Sequence, residues 1–122
     1  MKMIVGGAFQ GKRTYAEALY PEITWVDGRS CSIEDLSEYE GIDCFHELIR
    51  RLLEEDKLAK IEELNSDVVI ISDEIGCGLV PIERFQREYR ETTGRICTRL
   101  AAQSERVDRV ICGVGKMIKG KE

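Results

Sequence analysis

The chain has 122 residues, 43% of them hydrophobic and 34% charged, with 18 Lys+Arg against 23 Asp+Glu for a net charge of −5. That length predicts one domain over residues 1–122, built on a single core, and the acidic balance excludes broad, sequence-independent nucleic-acid binding. No apolar run approaches a membrane span and no basic-then-apolar leader is recognisable, so the expectation is a cytoplasmic protein.

Lys2–Val5 reads as a short apolar strand, followed at once by Gly6-Gly7-Ala8-Phe9-Gln10-Gly11-Lys12. Arg13–Tyr20 has helix-forming residues and Pro21 stops it. Ile23–Val26 is β-rich and closes on an Asp27-Gly28 turn; Ser32–Glu40 is acidic, with Ser32 and Asp35 spaced to cap one helical turn. Leu48, Ile49, Leu52, Leu53, Leu58, Ile61 and Leu64 recur at helical spacing and predict one long amphipathic helix over Phe45–Leu64. Val68-Val69-Ile70-Ile71 is a continuous β-branched run, the pattern of a strand covered on both faces. Helices over Ile82–Thr92 and Arg95–Arg106 follow, split at Gly94, then a strand at Arg109–Cys112 and a polar tail. Strands alternating with helices imply an α/β fold with a mainly parallel sheet.

Gly6-x-x-x-x-Gly11-Lys12, set between a strand and a helix, has the spacing of a Walker A phosphate loop. In such a loop glycines allow successive backbone N–H groups to face the phosphate oxygens, and the helix N-terminus adds partial positive charge. Gly6, Gly7, Ala8, Phe9, Gln10, Gly11, Lys12, Arg13 and Thr14 are the candidate nucleotide-binding residues, with Lys12 reaching the terminal phosphates. Arg13 stands where the loop normally carries the Ser or Thr that binds Mg²⁺, and Thr14 lies about 100° further round the helix. A second acidic group is expected at a strand end. Asp73 and Glu74 follow the apolar run, and Asp43 follows the weaker strand Gly41-Ile42.

The five cysteines, Cys31, Cys44, Cys77, Cys97 and Cys112, are odd in number and show no C-x-x-C spacing. With His46 as the one histidine, they read as reduced core residues rather than zinc ligands.

Ile4–Lys12 and Ser72-Asp73-Glu74-Ile75-Gly76-Cys77-Gly78-Leu79-Val80-Pro81 together resemble the adenosylcobinamide kinase / adenosylcobinamide-phosphate guanylyltransferase family of cobalamin biosynthesis. The second segment is similar to that family's Asn-Glu-Val-Gly-x-Gly-Ile-Val-Pro. The likeness continues through Arg84–Ala102 and Val107–Val110. It implies a P-loop NTPase-like three-layer sandwich, ATP or GTP with Mg²⁺, a cobinamide-type small-molecule partner and a homo-oligomer. It also implies that Lys12 and Asp43 are catalytic, that Asp43 is a Mg²⁺ ligand, which Thr14 joins only if the helix start shifts, and that Glu74, Gly76, Gly78 and Pro81 shape a substrate pocket. Three features depart from the family: Arg13 after the lysine, Cys97 in place of Asn, and a middle too short for the helix bearing the GMP-accepting histidine. His46 lies beyond Asp43, outside that segment. Three readings follow: phosphoryl transfer with the guanylyl-transfer half lost, a non-catalytic nucleotide-binding or regulatory relative, and an oligomer-forming structural subunit.

Overall fold

The computed structural model describes residues 1–75 and 83–120. Six strands form one sheet: β1 (Lys2–Gly6), β2 (Trp25–Asp27), β3 (Gly41–Asp43), β4 (Val69–Asp73), β5 (Arg106–Ile111) and β6 (Val114–Lys119). Their spatial order is β2-β3-β4-β1-β5-β6, and every neighbouring pair is parallel except β5–β6. Among the described residues, three α-helices cover the sheet: α1 (Lys12–Leu19), α2 (Phe45–Glu54) and α3 (Arg84–Gln103). Successive strand residues point to opposite faces, so the unbroken run at Val68–Ile71 supplies both layers. Val69 and Ile71 pack with Ile4, Val110 and Ala16 of α1. Val68 and Ile70 join Met3, Phe45, Leu48, Leu52 and Leu100 on the α2–α3 face. This is the expected three-layer α/β sandwich.

The α1 face is the smaller core and holds a polar cluster. Asp108 is fully buried, with Arg106 Nε at 2.8 Å and the Tyr15 hydroxyl donating to it. Burial pushes the Asp108 carboxyl pKa up, but the hydrogen bonds from Arg106 and Tyr15 outweigh it and hold it below the usual range.

Four elements differ from the sequence reading. The helix predicted over Phe45–Leu64 stops at Glu54, and Leu58–Glu63 forms a separate 3-10 turn. Asp56 adopts φ 55°, Lys57 N–H donates to the Leu52 carbonyl at 2.7 Å, and Asp56 N–H donates to Leu53 at 3.2 Å. These bonds make a Schellman closure, with Asp where glycine is the usual signal. Conversely, Gly94 does not interrupt α3. A side chain there would meet nothing within 4 Å, and the cost of an exposed helical glycine, about 1 kcal/mol, is outweighed by Tyr89, Thr92, Thr93 and Leu100 buried along the same helix. The polar tail instead forms strand β6. Cys112 and Gly113 both have positive φ (50° and 79°), giving the two-residue turn that matches the twist of a hairpin. Ile33–Glu38 is a short 3-10 helix that Ser32 precedes without a side-chain cap bond.

Candidate phosphate site

The carboxyl ends of β1, β2, β3 and β4 all reach the same edge of the sheet, where open α/β folds bind ligands. A cavity of about 380 Å³ opens there, walled by the loop Ala8–Thr14 and by Arg29, Asp43, Cys44, His46, Glu47, Ile71 and Asp73. Two glycines fix the loop. A Cβ on Gly6 would collide with the Val110 carbonyl of the adjacent strand, and Gly11 takes φ 84° at the residue before α1. Gln10 ties the loop to the β5–β6 hairpin: its side-chain oxygen accepts from Cys112 N–H at 2.5 Å and its carbonyl from Gly113 N–H at 2.7 Å. No side chain caps α1, so its leading N–H groups lie beside the cavity without side-chain caps.

Lys12, the first residue of α1, is only 7% exposed. Its ammonium donates to the Gly7 carbonyl at 2.6 Å and pairs with Asp73 Oδ1 at 2.7 Å. Register explains the second contact, because Asp73 sits directly beside Gly6 in the β1–β4 pairing. The other side of Asp73 meets His46. The Asp73 N–H donates to His46 Nδ1 at 3.1 Å, and His46 Nε2 lies 3.4 Å from Asp73 Oδ2. An accepting Nδ1 fixes the neutral tautomer with hydrogen on Nε2. Burial lowers the His46 pKa, against the upward pull of Asp73 and Glu47.

Asp43, two strands from β1, has a different partner. Arg13 Nη1 pairs with Asp43 Oδ2 at 3.0 Å, and Asp43 Oδ1 accepts the Cys44 N–H at 2.7 Å. The same guanidinium reaches Glu17 Oε1 at 2.8 Å and lies 5.4 Å from the Trp25 ring centre. Next to Asp43, Cys44 has a thiol pushed up to about 11, first by burial and then by Asp43. Glu74 is held by Arg109 (3.0 Å), and its N–H donates to the Gly6 carbonyl at 2.8 Å; it does not wall the cavity. Gly76, Gly78 and Pro81 lie outside the described residues.

Mg²⁺ takes one or two carboxylates plus phosphate oxygens and water, and so needs an open carboxylate edge. Both oxygens of Asp43 are engaged, and those of Asp73 face Lys12 and His46. Thr14 borders the cavity, as does Glu47, whose Oε1 lies 4.0 Å from His46 Nε2. Among the described residues, no group of three or more His, Cys, Asp or Glu gathers as a metal centre. As arranged, neither Asp43 nor Asp73 offers an open carboxylate edge to a resident Mg²⁺.

The family model for cobinamide kinase / cobinamide phosphate guanyltransferase, CobU, matches residues 38–118. This chain belongs to that family. The CobU match takes in β3, α2, β4, α3 and the β5–β6 hairpin, while the loop at residues 6–12 precedes it and stands on its own spacing and geometry. The bifunctional adenosylcobalamin biosynthesis protein CobU of Salmonella typhimurium strain LT2 is 37% identical over 62 residues, 51% of this chain and 34% of that protein. Its counterpart in Escherichia coli K12 is 36% identical over the same extent. The match thus spans about a third of the length of these curated relatives.

Asp73 and Asp43 were both legible as strand-end acids. Arg29 and His46 were not legible as cavity residues. The signal for Arg29 was its place directly after a strand end; His46 opens a helix after β3, so its reach to Asp73 depends on β3 and β4 being neighbours.

Among the described residues no helix is long and apolar enough to cross a membrane.

Proposed function

We propose that residues 1–122 form a nucleotide-binding domain that transfers the terminal phosphoryl group of ATP or GTP to a hydroxyl of a cobinamide-type acceptor. The observation that carries this reading is Lys12: a buried ammonium held at the mouth of a glycine loop by two contacts that a polyphosphate replaces. On binding, Lys12 leaves the Gly7 carbonyl and Asp73 for the terminal phosphates, and the N–H groups of the loop and of α1 receive the remaining oxygens. Lys12 then stabilises charge on the transferring group, while Asp43 orients the attacking hydroxyl. The acceptor oxygen bonds to the γ-phosphorus as the bond from γ-phosphorus to the β–γ bridging oxygen breaks; ADP or GDP leaves with that oxygen, and the hydroxyl proton passes through Asp43 to solvent.

In this reading the chain lacks the guanylyl-transfer half. That chemistry needs a histidine nucleophile, and His46 has Nδ1 occupied by the Asp73 N–H and Nε2 turned toward the Asp73 carboxylate. The test is incubation with γ-labelled ATP or GTP and cobinamide, alongside GTP labelled in its α-phosphate. Label transferred to cobinamide, with none bound covalently to protein, is expected; a GMP-labelled protein that His46→Ala abolishes contradicts it. The engaged Asp43 carboxylate favours a second reading, nucleotide binding without turnover, which the same assay identifies by bound nucleotide and no transfer.

A further inference from the structure

Arg13 is the residue that breaks the phosphate-loop pattern, and its surroundings are specific. The guanidinium is fixed on three sides, by Asp43, by Glu17 and by the face of Trp25, and it borders the same cavity as the Lys12 ammonium. Its contact with Asp43 occupies one of the two strand-end carboxylates that wall this cavity. The other, Asp73, already faces Lys12 and His46. In the nucleotide-free arrangement a divalent cation placed beside Asp43 and Asp73 would therefore meet the two protein cations already seated there. Guanidinium, unlike a hydroxyl, carries its own charge and has several donors suited to phosphate oxygens.

We infer that Arg13 supplies at the phosphate site the positive charge that Mg²⁺ supplies in loops bearing Ser or Thr at this position, so that polyphosphate binding here does not depend on a divalent cation. The inference rests on the nucleotide reading above and deepens it. Arg13 swings from Asp43 and Trp25 onto the phosphates as Lys12 leaves Asp73, and the two cations bracket the polyphosphate. Trp25 is the one tryptophan of the chain, so its emission reports the departure of the guanidinium.

The experiment is an equilibrium titration of ATP, and separately of GTP, followed by calorimetry in EDTA and in excess Mg²⁺, with Trp25 fluorescence as a second readout for wild type. It compares wild type, Arg13→Ser and Arg13→Lys. Arg13 is 45% exposed, and thermal melts of the variants establish that they are folded. Wild type is expected to bind with the same Kd, within about threefold, in both conditions. Arg13→Ser loses roughly tenfold or more in EDTA and regains affinity with Mg²⁺, while Arg13→Lys stays close to wild type in EDTA. Wild-type binding that weakens roughly tenfold in EDTA, or an Arg13→Ser variant that binds as tightly as wild type there or regains nothing with Mg²⁺, overturns the inference and leaves the nucleotide reading standing. Absence of binding in both conditions overturns the nucleotide reading itself.

Discussion

Two cation–carboxylate pairs close one cavity, and they come from consecutive residues of one helix. Lys12 and Asp73 are 7% and 23% exposed; Arg13 and Asp43 are 45% and 21% exposed. One step along a helix turns the side chain by about 100°, enough to send Lys12 beneath the loop and Arg13 to its rim. The same pairing chemistry therefore has different weight at the two places. Water screens the outer pair, which adds little to stability and can exchange partners readily. The inner pair is partly desolvated, so each charge depends on the other.

The largest expected effect comes from breaking the inner pair. Lys12→Met leaves Asp73 without its cation and should cost about 2–3 kcal/mol in urea unfolding, less than the roughly 3–5 kcal/mol of a fully buried pair because Asp73 is partly wet. Asp73→Asn removes the competitor for Lys12 instead. It should destabilise the free protein less, by about 1–2 kcal/mol, and tighten nucleotide binding, measured by calorimetry. His46 gives the inner pair a pH dependence. Its folded pKa is depressed by burial, so below the unfolded value of about 6.5 the unfolded chain takes up a proton that the folded site resists. Stability is complete above that value and declines as pH falls through it toward the folded pKa. Urea midpoints between pH 8 and pH 5 should show this decline, and His46→Gln should flatten it. The outer pair gives the smallest effect: Asp43→Asn should shift stability by less than about 1 kcal/mol, and a larger loss would erase the contrast between the two pairs.

Strands β1 to β4 and the glycine loop between β1 and α1 were legible because their signals are local: a β-branched run, a glycine spacing, a lysine at a helix start. The breaks were harder to read. Asp56 closes α2 in a left-handed conformation that glycine normally advertises, and Gly94 sits inside α3 because its open side costs little against the packing of Tyr89 and Leu100. The β5–β6 hairpin was hidden by Cys112 standing where Asn or Asp usually precedes glycine. At the site, pattern put Asp43 and Asp73 at strand ends, but which cation each one meets is a property of strand order. β4 lies between β3 and β1, which brings Asp73 to Lys12 and leaves Asp43 for Arg13.

The central claim is that Lys12 is a phosphate ligand held in reserve. Its most direct test is the melting temperature of wild type and Lys12→Met across a concentration series of ATP and GTP, run in EDTA. Binding to the folded state alone raises the wild-type melting temperature progressively with nucleotide, and Lys12→Met, though less stable at the start, should show no such rise. Equal rises in the two proteins would contradict the account.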